Sequence, residues 1–156
     1  MKEIRPEPLQ YQLRLKAELA SVPVGQDFIT EILRKKDAPE KFIRKVRLIL
    51  DEALANAIEH GGTSTGADFV SLGCHVSDSS LQLCVEDFQG RMFDPEYFRR
   101  IAGAKDWGKG GRGILLIETM VDHMTYLIEP GKHTILFMEL TAPWGDKKAP
   151  FPPAQR

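Results

Sequence analysis

Arg47 to Gly62, RLILDEALANAIEHGG, is the stretch from which the rest of the chain is read. At helical spacing Val46, Leu50, Ala53, Leu54, Ala57 and Ile58 line up as one apolar stripe. Glu52, Asn56 and His60 recur at i, i+4 and i+8 on a different stripe, so their side chains stack one turn above another. The Gly61-Gly62 pair closes the helix, as glycine commonly does at a C-terminus. A carboxylate one turn from a carboxamide, set among Ala53, Ala55 and Ala57, suits a helix face that something else approaches closely. A solvated helix side can carry the same residues, so this stretch defines an element but not yet a function.

Composition narrows the classes. The 156 residues include 21 Lys and Arg against 22 Asp and Glu, a formal charge of −1, which removes any global electrostatic case for nucleic acid or an anionic membrane. The length fits one domain with a real core. No apolar run approaches the ~20 residues of a membrane-spanning helix, and MKEIRPEPLQ lacks the apolar centre of a signal peptide. Cys74 and Cys84 both fall in apolar, strand-like segments, where they read as buried thiols of a reducing compartment. The expectation is a cytoplasmic protein with no direct nucleic-acid or membrane partner.

Around the central helix the chain reads β-α-α-β-β-α-loop-α-β-β. Leu9 to Leu19 alternates apolar and polar residues as a half-buried strand does. Ser21, as N-cap, opens a helix whose buried stripe is Val24, Phe28, Ile32 and Leu33. Asp37-Ala38-Pro39 breaks it, and the central helix begins near Pro39 or Glu40. Ala67 to Val76 and Ser80 to Glu86 are strands joined by a hairpin at Ser77-Asp78-Ser79. Glu96 to Ala102 is a short helix, Gly103 to Gly113 a loop, and Ile114 to His123 a further helix. Met124 to Ile128 and His133 to Leu140 are two more strands. Paired strands punctuated by helix pairs predict a two-layer α+β sandwich, a mixed and mostly antiparallel sheet with helices on one face. Residues 1–141 form the single domain, and the proline-rich 142–156 form a disordered tail.

Three short stretches carry candidate chemistry. Mg²⁺ prefers oxygen ligands and is usually held by one or two protein oxygens plus substrate phosphates. Asn56 can supply such an oxygen, with Glu52 an acceptor beside it. Asp87 ends the apolar strand LQLCVE, where a carboxylate can accept a hydrogen bond from an exocyclic amine such as adenine N6. It can equally open a turn. GAKDWGKGGRGI holds five glycines with Lys105, Lys109 and Arg112 and runs into a helix. Glycines let backbone N–H groups turn toward an anion, and a helix N-terminus adds favourable partial charge. It is not a Walker loop, since Gly113 is followed by Ile114 rather than by Lys-Ser/Thr.

Taken in order, ExxxN on a helix, Asp-Gly after a strand and GxGGxG entering a helix resemble the N, G1 and G2 boxes of the GHKL ATPase superfamily. EALANAIEHG and GRGILLIETMVD are most similar to the anti-sigma-factor serine kinases (RsbW-like), over about residues 9–141. The resemblance implies the GHKL (Bergerat) sandwich with ATP and Mg²⁺ as cofactors. It makes Asn56 the metal ligand, Glu52 the general base and Asp87 the adenine-binding carboxylate, with Gly90 in the same box. Gly108, Gly110, Gly111 and Gly113 become the lid and phosphate cradle, Lys105, Lys109 and Arg112 its basic side chains, and Thr134 a residue near adenine. It departs from the family at Gln89, which holds the place where the G1 box usually has glycine. The activity implied is that of a serine/threonine protein kinase in a partner-switching system. Such a kinase phosphorylates an anti-sigma-factor antagonist, sequesters a sigma factor and forms a homodimer. The alternative is a non-catalytic ATP-binding module that controls a protein partner. A sensor histidine kinase fits less well, because no helix bearing an acceptor histidine precedes the first strand.

Overall fold

The computed structural model describes residues 10–61, 69–88, 111–129 and 132–144. Their elements run β1 (Tyr11–Lys16), α1 (Ser21–Lys35), α2 (Glu40–Gly61), β2 (Phe69–Val76), β3 (Ser80–Asp87), α3 (Gly111–Met120), β4 (His123–Glu129) and β5 (His133–Thr141). The strands form one sheet in the order β1-β2-β3-β5-β4. Every pairing is antiparallel. A mixed sheet was expected; the link that carries α3 takes the chain past the position beside β3, and β5 returns to fill it. β3 and β4 therefore run parallel but do not touch as neighbours.

Period-two alternation sorts the sheet into two faces. One core-facing row crosses it as Leu13, Leu72, Val85, Leu136 and Tyr126, each the register partner of the next, buried in the middle and half-buried at the two ends. Cys74, Leu83, Met138 and Met124 make the neighbouring row. These residues join Ile29 and Leu33 of α1, Val46, Leu50, Ala53 and Leu54 of α2, and Ile117 of α3 in a single core cluster. The three described helices thus cover one face, giving the two-layer sandwich. In α2 the apolar stripe lies as the sequence indicates, with Leu50 and Leu54 fully buried and Ala57 and Ile58 packed at its margin.

Close helix–sheet packing depends on Gly25. A Cβ there would sit 2.8 Å from Leu54 Cδ1 and 3.1 Å from both Leu15 Cδ1 and Leu72 Cδ2, inside van der Waals contact. Between α1 and α2 the chain reverses through Asp37, at φ 55°. Its N–H donates to Arg34 O, and that of Ala38 to Leu33 O, satisfying carbonyls at the end of α1.

Several boundaries move from their expected places. β1 stops at Lys16, because Glu18 N turns back to Lys16 O and Ser21 N to Glu18 O. Ala20, not Ser21, is the N-cap of α1 and makes no side-chain cap; Ser21 is the first helical residue and is buried. α3 starts three residues early, at Gly111, and ends at Met120, while His123 belongs to β4. Asp122 enforces that stop, since its Oδ2 accepts from Thr141 N (2.6 Å) and Thr141 Oγ1 (2.8 Å). The expected tail from residue 142 begins inside the core. Ala142 and Trp144 are buried, the indole lies edge-on to Phe42 at 5.7 Å, and its Nε1 donates to Ser77 O. The expected helix at 96–102 and the tail beyond 144 lie outside the described residues.

Candidate functional site

α2 presents Glu52 and Asn56 one turn apart on the side that meets α3, against which it packs. Gly113, the third residue of α3, is what allows the two helices to approach there. A Cβ added to it would collide with the Glu52 carboxylate at Oε2 and stand 3.5 Å from Asn56 Nδ2. Residues far apart in the chain, from the proposed N box and G2 box, are therefore in direct apposition.

Two features of this junction are electrostatic. Glu52 is held above the ordinary carboxylate range, first by burial and then by the nearby charges of Asp51 and Glu59. A carboxylate so placed is a stronger base than a solvated one. Asn56 Nδ2 is buried with no hydrogen-bond partner. A buried amide nitrogen in that state is costly, and a native fold seldom leaves one without a purpose. Rotation of the carboxamide exchanges its nitrogen and oxygen with no change of shape, so the group can offer an oxygen ligand at the same place.

At the open end of the inner sheet face stand Asp87 and Thr134, direct register partners on β3 and β5. Both are buried, at 9% and 6% exposure, and continue the row that runs Leu83, Val85 toward the helix side. Thr134 Oγ1 is buried and has no hydrogen-bond partner. The start of β5 is pinned from the opposite face by His133, whose Nδ1 lies 3.0 Å from Glu86 Oε1 and Nε2 3.1 Å from Glu129 Oε2. α2 packs on both β3 and α3, so the helical junction and the strand-end pair sit on mutually contacting elements.

Gly111 and Arg112 form the first turn of α3, where unpaired backbone N–H groups favour an anion. Gly90, Lys105, Gly108, Lys109 and Gly110 lie outside the described residues. Burial pushes Cys74 up to about 12 and Cys84 up to about 11, so neither thiol is reactive at neutral pH. Among the described residues there is no cluster of three His, Cys, Asp or Glu side chains that could hold a metal ion by themselves. Orphaned polar atoms at Asn56 and Thr134, the first of them beside the close approach of Gly113 to α2, fit a bound nucleotide.

An antiparallel sheet backed by helices, with a carboxylate–carboxamide pair under a glycine-led helix start, defines the α+β nucleotide-binding sandwich of GHKL type. The chain belongs to the histidine kinase-like ATPase domain family, whose profile matches residues 15–139, and the nucleotide is accordingly ATP. It is 23% identical over 131 residues to the serine-protein kinase RsbW of Listeria innocua, covering 80% of this chain and 83% of that one. RsbW of Staphylococcus aureus is 22% identical over 128 residues, covering 77% and 80%. In three dimensions the chain is similar to one from the crystal structure of the SiaB–SiaC complex from Pseudomonas aeruginosa. There the TM-score is 0.64, at 9% identity, over 85% of this chain and 89% of the other. No helix among the described residues is long and apolar enough to cross a membrane.

Proposed function

We propose that the chain is an ATP-dependent serine/threonine protein kinase of partner-switching type, which phosphorylates a serine on an antagonist protein and sequesters a sigma factor. The observation that carries this reading is the half-buried Glu52, raised in pKa and held one turn from Asn56 beneath Gly113. A module that only binds nucleotide needs no base at that place.

When bound, Mg²⁺–ATP supplies the γ-phosphoryl group and the cation that neutralises its charge. Asn56 would hold that cation through its side-chain oxygen. Asp87 would accept a hydrogen bond from the adenine amine, with the Thr134 hydroxyl beside it. The backbone N–H groups at the start of α3 would face the phosphates, joined by Lys105, Lys109 and Arg112 and by the lid glycines at 108 and 110, while Gly90 would lie with Asp87 at the adenine. Glu52 would take the proton from the incoming serine hydroxyl. The relatives named serine-protein kinases support the activity, and the structural neighbour, solved as a complex of two proteins, supports a protein partner. A homodimer acting in the cytoplasm completes the proposal.

The test is transfer of labelled phosphate from ATP to a serine-bearing antagonist, in Mg²⁺, by the wild type and by Glu52→Gln. Transfer should fall roughly 10²–10⁴-fold in the variant, the usual size of a general-base contribution, while ATP affinity is kept. ATP binding with no transfer by the wild type would make the chain the non-catalytic regulatory module instead, with Gln89 the first residue to replace by glycine.

A further inference from the structure

Away from the nucleotide side, the outer face of the sheet bears a cavity of about 570 Å³ at the β2–β3 hairpin, lined by His75, Ser77, Ser80, Gln82, Glu139 and Thr141 among others. Gln82 lies five residues before Asp87 on β3, roughly 17 Å along the strand at ~3.4 Å per residue, and on the other face. This cavity is thus separate from the residues assigned to ATP.

Its lining sets one carboxylate, Glu139, among hydroxyl, amide and imidazole groups. Gln82 Nε2 donates to Glu139 Oε2 at 2.9 Å, across directly paired positions of β3 and β5. That contact fixes the orientation of the amide, because the flipped rotamer would set two oxygens against each other. Gln82 Oε1 is therefore the amide atom turned away from Glu139, and it is buried without a partner. Thr141 Oγ1 gives its proton to Asp122 and keeps lone pairs for another donor. Ser77 Oγ already accepts from Ser80 N. Among the described residues, no lysine or arginine lines the cavity.

We propose that this cavity binds a guanidinium group. A fixed, buried carbonyl oxygen beside a carboxylate calls for a donor with positive charge. Gln82 and Glu139 are hydrogen-bonded neighbours at paired positions, so a planar group whose five N–H donors form a fixed fork is suited to meet both together. Glu139 supplies the charge, and Gln82 the directed acceptor. Neither is part of the proposed phosphoryl-transfer machinery, so the two activities fail independently.

The experiment is amide-detected NMR titration of the full chain with methylguanidinium, with acetyl-arginine amide, and with urea as the neutral planar control. Saturable shifts are expected at the Gln82 side chain and at Ser80 and Thr141, with half-saturation on the order of millimolar, and none with urea. Glu139→Gln, which keeps the shape, and Gln82→Met, which removes the acceptor, should each weaken binding at least tenfold while the spectrum stays dispersed. If acetyl-arginine amide matches methylguanidinium, the natural ligand is an arginine side chain of a protein. If only methylguanidinium binds, it is a small free guanidine. Absence of saturable shifts, equal shifts with urea, or unchanged affinity in both variants would overturn the proposal and leave the cavity to water.

Discussion

Gly113→Ala gives the most searching test of the apposition between α2 and α3. Helix propensity alone makes the change favourable, by up to about 1 kcal/mol, because alanine has less backbone freedom to lose. The new methyl would occupy the place of Glu52 Oε2 and crowd Glu52 Cδ at 3.3 Å. Overpacking of this kind costs about 1–3 kcal/mol, toward the lower end here because a carboxylate at the end of a side chain can swing aside. The net expectation is a loss of about 0–2 kcal/mol. In a Glu52→Ala background the obstructing carboxylate is gone and only the propensity gain remains, so Gly113→Ala should then stabilise by about 1 kcal/mol. Urea unfolding of the four proteins, read from midpoints at constant m-value, gives the coupling energy directly. A change of sign between backgrounds, with coupling of about 1–3 kcal/mol, is expected. Coupling below about 0.5 kcal/mol, the range found for independent sites, would refute the contact between the two helices.

Four further outcomes follow from other parts of the structure. Asn56→Ala should abolish the Mg²⁺ dependence of ATP binding, and Asp87→Asn should weaken the preference for ATP over GTP; calorimetric titration with each nucleotide, with and without Mg²⁺, reads both. Asp122 is held below its ordinary pKa by the hydrogen bonds from Thr141, backbone first and then side chain. Its contribution is therefore present above the unfolded value near 3.8 and is lost as pH falls through the lower folded value. Asp122→Asn should cost about 0.5 kcal/mol at neutral pH, small because the site is exposed and screened, and urea midpoints of variant and wild type should converge in acid. Asp37→Ala should cost about 1 kcal/mol, since alanine resists the positive φ that aspartate tolerates, and Asp37→Gly less; chemical denaturation compares them.

What could be read without coordinates is what repeats over a few residues. The i, i+4 stacking of Glu52 and Asn56 follows from the pitch of a helix, and the core rows of β2 and β3 follow from alternation of period two. Both depend only on neighbours in the chain, so α2, the hairpin and the placement of Asp87 at a strand end were all legible. Ends of elements were less so. Nothing local distinguishes Gly111 from Ile114 as the start of α3, and its stop at Met120 depends on Asp122 reaching Thr141, nineteen positions away.

Tertiary structure alone decided which of the candidate residues meet. Gly113 faces Glu52 only because α3 crosses α2, and Asp87 stands beside Thr134 only because β5 rather than β4 inserts next to β3. Trp144 has the composition of a tail around it, yet it is buried because Phe42 and the Ser77 carbonyl offer it a ring face and an acceptor. The fixed acceptor at Gln82 likewise exists only because Glu139 is its cross-strand partner. Each such contact closes a long loop of chain, and its free energy depends on the three-dimensional arrangement at both ends, which no window of sequence contains.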